Sequence, residues 1–401
     1  MICDGRRDAH RHLLPYAEPM APFDRSRTTL DAGREPASDG LRSSGPGRTS
    51  GDARPATIRP HRVDLVLEGG GVKGIALAGA LEVLEERGYT VNRVAGSSAG
   101  AIAGALLTAG IPASQMVQIL RETDYRLFED GPWWTRTLPG KGLSILLHNG
   151  IHRGRHLRDW VAEQLAEHGA PGGTGTFADL RYEDPDPGIE LTGAHAHRLV
   201  VTVSDLSAGL LRYLPLDADA LGTSPDALRV ADAVRASTSI PLFFRPVRWK
   251  NAHGLPSVLV DGGLLSNFPV SVFDRPDGEP PRWPTFGLKL SAKPEADFGV
   301  RNRIRGPLSF GKAVADTVTG FYDRMHIDAA HSVARTIFID TEAVRPTQFD
   351  LSEEERELLY RKGRKAATDF LDGDHEQEPW DFEAYTRRFR TGSGTETLPQ
   401  R

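Results

Sequence analysis

Residues 63–110 read VDLVLEGGGVKGIALAGALEVLEERGYTVNRVAGSSAGAIAGALLTAG. VDLVL is a short run with β-branched residues, the mark of a buried strand. Gly69, Gly70 and Gly71 interrupt it. IALAGALEVLEERG then places apolar residues at helical spacing as far as Gly88, a natural C-cap. The design repeats at once. VNRVA predicts a second strand, GSS a tight turn, and AGAIAGALLTAG a second helix ended by Gly110 and Pro112. Strand, helix, strand, helix is the pattern of a parallel sheet covered by helices, an α/β fold.

Further strands are expected at RLVVTVSD (198–205), PSVLVD (256–261), TFGLKLS (285–291) and RTIFID (335–340). Helices are expected at HLRDWVAEQLAEHG (156–169), ADAVRASTS (231–239), FGKAVADTVTGFYDRM (310–325) and EEERELLYRKGRKAATDFL (353–371). Upstream, residues 1–60 are rich in Arg, Asp, Gly, Pro and Ser. Such a stretch buries too little apolar area to offset the entropy of ordering it, so a disordered tail is expected. A start at Met20 instead of Met1 would shorten it. The folded domain is expected over 61–372, followed by a partly disordered extension over 373–401.

The 401 residues are 39% hydrophobic and 26% charged, ordinary for a globular chain with a substantial core. A net charge of -5 and a pI near 6.2 give no overall attraction to nucleic acid. The single cysteine, Cys3, excludes an internal disulfide and a cysteine metal cluster. No apolar run reaches the ~18 residues of a spanning helix, and the N-terminus lacks the apolar core of a secretory signal. A cytoplasmic setting is expected, with peripheral contact at a membrane left open.

Three short motifs carry chemistry. Gly96-Ser97-Ser98-Ala99-Gly100 is a G-x-S-x-G sequence at a strand end. A nucleophilic serine needs such a turn, with small residues on either side and a helix N-terminus aimed at the developing oxyanion. The plain alternative for Ser98 is a helix N-cap. Glu68-Gly69-Gly70-Gly71-Val72-Lys73-Gly74 offers backbone N–H groups to an anion. It suits an oxyanion hole, and Gly69, Gly71 and Gly74 also fit a dinucleotide loop. The latter expects an acid at the end of the second strand, where this chain has Gly96-Ser97-Ser98 instead. A glycine turn that only packs helix on strand is a further alternative. Asp261-Gly262-Gly263 puts a carboxylate at the end of an apolar strand, where parallel-sheet enzymes place catalytic groups; as a bare tripeptide it is also a common turn.

In this order, EGGGVKG, GSSAG and DGG resemble the patatin-like phospholipase family. ASTSIPLFFRPV (236–247), LVDGGLLSNFPV and FDLSEEERELLYRKGRKAATDFL are similar to it as well, so that the likeness covers roughly 62–372. Lys73 stands where plant members usually carry arginine, and Glu68 where many carry aspartate. The resemblance implies a three-layer α/β fold with a mainly parallel sheet, and a Ser-Asp dyad without histidine. Ser98 would be the nucleophile, Asp261 the base, and Gly69, Gly70 and Gly71 the oxyanion loop. Lys73, Gly74, Gly96, Gly100, Gly262 and Gly263 would support the motifs. The substrate implied is a phospholipid or other acyl lipid, cleaved with neither metal nor organic cofactor. A nucleotide-binding protein using Gly69–Gly74 is the alternative from another class.

Other features have competing readings. His326 or His331 could complete a triad, although both fall in a helical stretch, DRMHIDAAHSVA. His152 and His156 have a metal-like spacing, but Gly154 lies between them. Lys73 could meet an anionic headgroup or simply be solvated. Residues 125–147 mix Phe128, Trp133, Trp134 and several leucines with Gly and Pro, and suit either a lid or interfacial edge, or core packing.

Overall fold

The computed structural model describes residues 61–390, apart from 170–174, 187, 190, 276–279, 292–329 and 376. The expected tail over 1–60, the helix expected at 310–325, His326 and the chain beyond 390 lie outside the described residues.

Ten strands run in chain order among them: β1 (His61–Leu67), β2 (Tyr89–Gly96), β3 (Gly150–His152), β4 (Leu199–Asp205), β5 (Leu210–Leu214), β6 (Leu242–Phe244), β7 (Val247–Lys250), β8 (Pro256–Asp261), β9 (Thr285–Lys289) and β10 (Thr336–Phe338). Eight form one sheet in the order β10-β9-β1-β2-β4-β8-β7, with β5 also on β4; β3 and β6 pair separately. The run from β10 to β4 is parallel throughout. β5 and β8 are antiparallel to β4, and β7 is antiparallel to β8.

The helices are α1 (Gly74–Glu86), α2 (Ala99–Thr108), α3 (Ala113–Glu122), α4 (Leu138–His148), α5 (Arg155–His168), α6 (Val230–Ser237), α7 (Ala330–Val333), α8 (Glu353–Asp372) and α9 (Phe382–Phe389). β1 shows why the sheet is sandwiched. Its alternate residues Val63, Leu65 and Leu67 join the large apolar cluster that takes in α1 and α2. Val66, on the opposite face, joins a second cluster with Ala95, Val200, Phe268 and Phe273. Period-two alternation thus puts apolar side chains on both faces, as a covered parallel sheet requires. α1 and α8 pack closely because a glycine sits at each crossing point. A Cβ on Gly363 would fall 1.9 Å from the Ala76 carbonyl oxygen, and one on Gly79 would fall 2.4 Å from that of Tyr360. α8 begins where a capping box predicts: the Ser352 hydroxyl accepts from the Glu355 amide, and the Glu355 carboxylate accepts from that of Ser352.

The sheet is mainly parallel and flanked by helices, as expected. One premise is corrected. Asp261 does not end a parallel strand; β8 runs against β4 and returns toward the C-terminal ends of the parallel strands. Val203 faces Asp261, two residues beyond Val201, which faces Gly96 at the end of β2.

Candidate active site

Ser98 occupies the turn between β2 and α2 with φ 48 and ψ -117, a region that non-glycine residues rarely enter. Its neighbours hold it there. A Cβ on Gly96 would meet the Gly100 carbonyl oxygen at 2.3 Å, and one on Gly100 would meet that of Leu67 at 2.2 Å. Both glycines of the motif are therefore needed sterically. Ser98 is also the N-cap of α2, yet its side chain caps nothing there. Its hydroxyl is instead set against the carboxylate of Asp261, where as a hydrogen-bonding neighbour it opposes the rise of that group's pKa.

Asp261 is buried. Burial pushes its pKa up to about 6, against the opposing hydrogen bonds from Ser98 and the Gly263 amide. That amide lies 2.8 Å from Oδ1. Gly262 is closely confined, because a Cβ would meet Thr202 Oγ1 at 2.3 Å; one on Gly263 would meet Asn267 Oδ1 at 2.6 Å.

The glycine loop lies against this pair. A Cβ on Gly69 would come 3.0 Å from Ser98 Cβ and collide with Asn267 Oδ1 at 2.3 Å. The Gly69 amide donates to the Asn267 carbonyl at 3.4 Å, and Asn267 Nδ2 donates back to the Gly69 carbonyl at 3.1 Å. Among the described residues, the amides of Gly70 and Gly71 have no acceptor. Gly71 has φ +58, and a Cβ on it would strike the Pro346 carbonyl at 1.9 Å. Gly74 has no such confinement: its nearest contact would be ordinary, with Ala99 Cβ at 3.6 Å. Glu68 anchors the loop by accepting from Lys289 Nζ and the Leu290 amide. Lys73 is half-buried, and desolvation lowers its pKa against the pull of Glu68, Glu342 and Asp340. It thus faces carboxylates of its own chain.

Three residues without a role in the sequence reading complete the frame. The Ser98 amide donates to Ser237 Oγ at 2.9 Å. The Asp261 amide donates to the Ser239 carbonyl at 3.0 Å. Arg235, buried and drawn down to about 10 by desolvation, donates to Ser239 Oγ at 2.6 Å and to the carbonyls of Arg153 and Arg245. The signal for the two serines lay in ASTSIPLFF, where polar side chains punctuate an apolar stretch; Arg235 stands just before it.

A small pocket opens on Ser98, lined by Ile102, Tyr125, Phe128, Leu157, Ile240, Phe244 and Phe349, with Gly71 and Val72 at its loop edge. A larger cavity, bordered by Arg158, Leu165, Arg198 and Arg229, includes neither Ser98 nor Asp261. No described histidine is among the groups acting on Asp261 or lining the pocket at Ser98. His331 is charge-coupled to Arg335, Arg390 and Asp274. The His152 ring packs 4.6 Å from Phe243, and His156 lies 6.0 Å from Phe128.

An α/β sheet whose apolar pocket opens on a serine, with a buried carboxylate set against that serine, is the frame of a lipid ester hydrolase. The patatin-like phospholipase family model matches residues 65–274, and the chain belongs to that family. An uncharacterized Bacillus subtilis protein, YqhO, is 34% identical over 312 residues, 77% of this chain and 98% of that one. An uncharacterized NTE family protein of Mycobacterium tuberculosis is 30% identical over 216 residues, 54% of this chain but only 28% of that protein. Among solved structures, VipD from Legionella pneumophila aligns with a TM-score of 0.40 at 18% identity, over 78% of this chain and 66% of that one.

Proposed function

We propose that the chain hydrolyses carboxylic esters of phospholipids or related acyl lipids through an acyl-enzyme on Ser98, with Asp261 as the base. The observation that carries this is the Ser98 hydroxyl, in its strained turn, set against a buried carboxylate poised near pH 6. An unperturbed carboxylate, with a pKa near 3.9, is a feeble base for an alcohol, and the raised value narrows that gap. Ser98 Oγ attacks the ester carbonyl while its proton passes to Asp261. The amides of Gly70 and Gly71, without acceptors among the described residues, hold the oxyanion, and Gly69 braces the loop against Asn267. Asp261 returns the proton to the leaving alcohol. Water then attacks the acyl-enzyme with Asp261 again as base, regenerating Ser98 and releasing the fatty acid. The apolar pocket accommodates the acyl chain.

The dinucleotide alternative gains nothing from this arrangement, because the loop backs onto Ser98 and β2 ends in Gly96 without the ribose-binding acid. The test is turnover of a short-chain soluble ester, with fluorophosphonate labelling. Ser98→Ala is expected to abolish both, and Asp261→Asn to reduce turnover at least about 1000-fold, a loss of about 4 kcal/mol in transition-state stabilisation. Wild-type turnover by folded Ser98→Ala would refute the mechanism.

A further inference from the structure

α4 is mounted inside out. Its buried residues are Gly140 and Ser144. Gly140 is pressed so closely that a Cβ would meet the Trp134 carbonyl at 1.9 Å, and the Ser144 hydroxyl donates to the Gly150 carbonyl at 2.8 Å. The small polar side seats the helix and the leucines face out: Leu138 is 84% exposed, Leu146 81% and Leu147 64%. Trp133, just upstream, is 80% exposed. β3 follows α4 directly and pairs with β6, where Leu242 is 58% exposed and held at φ 67. A bulky residue at positive φ is strained, here at a leucine presented to water. Apolar side chains gathered in this way, on a surface that would ordinarily be polar, mark a contact site.

Charge identifies the partner. Residues 131–158 contain Arg136, Lys141, Arg153, Arg155 and Arg158 and no aspartate or glutamate, in a chain of net charge -5. Arg158 pairs with Asp159, but the other four are exposed and have no ion pair among the described residues. Arg153 and Arg155 act electrostatically on Arg245, whose guanidinium reaches Ser144 on α4 at 3.4 Å, so these charges adjoin the leucine helix. Leucines and a tryptophan among unpaired cations match the boundary of an anionic bilayer, where apolar groups enter the acyl layer and cations meet phosphates. The same elements reach the pocket on Ser98, since Phe244 of β6 lines it and Phe128 lies just ahead of Trp133.

We propose that the α4 face, with Trp133 and Leu242, docks the protein on anionic lipid bilayers beside the mouth of the acyl pocket. The assignment of that mouth rests on the reading of Ser98 given above; the docking itself does not. Co-sedimentation of the full chain with phosphatidylcholine vesicles, with and without phosphatidylglycerol, tests it. Wild type is expected to bind the mixed vesicles, and to be released by raised salt. Leu138→Ser/Leu146→Ser/Leu147→Ser and Arg136→Glu/Lys141→Glu should each weaken binding at least tenfold, with turnover of a soluble short-chain ester unchanged. Ser98→Ala should bind like wild type, so docking and catalysis can fail separately. Equal binding by the leucine variant would overturn the proposal. So would a wild type that ignores vesicles and instead forms a dimer that the leucine variant abolishes.

Discussion

The carboxylate of Asp261 lies inside the protein, and among the described residues the Ser98 hydroxyl and the Gly263 amide, not a cation, offset its desolvation. Its folded pKa of about 6 stands above the ordinary aspartate value of 3.8. Between those values the folded state holds a proton that the unfolded state has released, so this group makes stability fall as pH rises from about 4 to about 6. The same proton blocks the base, so kcat/KM for a soluble ester should climb through pH ~6 and level off above it. Asp261→Asn removes the titration. It should be nearly inactive, yet more stable than wild type at pH 7 by up to about 3 kcal/mol, an advantage that disappears near pH 4. Denaturant unfolding of both proteins at the two pH values checks this; an unchanged difference between them would sever the link. Ser98, Asp261 and the glycines were legible in the sequence because each motif is contiguous. Asn267 was not, although it lies in the quoted LVDGGLLSNFPV. Its role appears only when Gly69, 198 positions away, folds against it.

Among elements, α6 and the residues just after it hold both halves of the site. Ser237 takes the Ser98 amide, Ser239 takes the Asp261 amide, and Arg235 fastens Ser239 from below. The serine is strained and the carboxylate desolvated, so a third element that fixes both keeps them in contact. Ser237→Ala leaves the buried Ser98 amide without its acceptor, a cost of about 1–3 kcal/mol. If part of that cost falls on the geometry of attack, kcat for a soluble ester should drop roughly tenfold while KM stays put. Ser237→Thr, which keeps a hydroxyl, should restore much of it. A Ser237→Ala enzyme that loses thermal stability alone would make Ser237 a packing residue. The main strands were legible because buried β-branched runs announce themselves, as at 63–67, 199–205 and 256–261. α4 was not: Pro139, Gly140 and Gly142 read as loop, and its leucines follow no core-facing pattern because they face water. Nor does β8 carry a sign of its direction, since an apolar run looks alike in parallel and antiparallel pairing.

At the scale of the whole molecule, the resemblance to the patatin-like family spans roughly 62–372, and the expected domain ends at 372. Contacts beyond that point bear on the boundary. Trp380 sets its ring 4.7 Å from Phe286 of β9 and 5.9 Å from Phe370 of α8, and its Nε1 donates to the Ala334 carbonyl at 3.0 Å. Tyr385 of α9 is buried, and Arg390 reaches Asp274, the partner of buried Arg335, at 2.9 Å. These residues cover aromatic surface at the edge of the parallel sheet, far along the chain from the strands they protect. A chain ending at 372 would expose the rings of Phe286 and Phe370 and leave Asp274 with one cation fewer. Loss of a largely buried tryptophan alone costs about 2–4 kcal/mol. A chain cut after residue 390 should therefore melt like the full protein, whereas one cut after 372 should melt at least about 5 °C lower and expose apolar surface to a hydrophobic dye. Ser98 and Asp261 make no contact with Trp380, Tyr385 or Arg390 among the interactions described, so the shorter chain should keep ester turnover well below its melting point. Equal melting of the two truncations would return the boundary to 372.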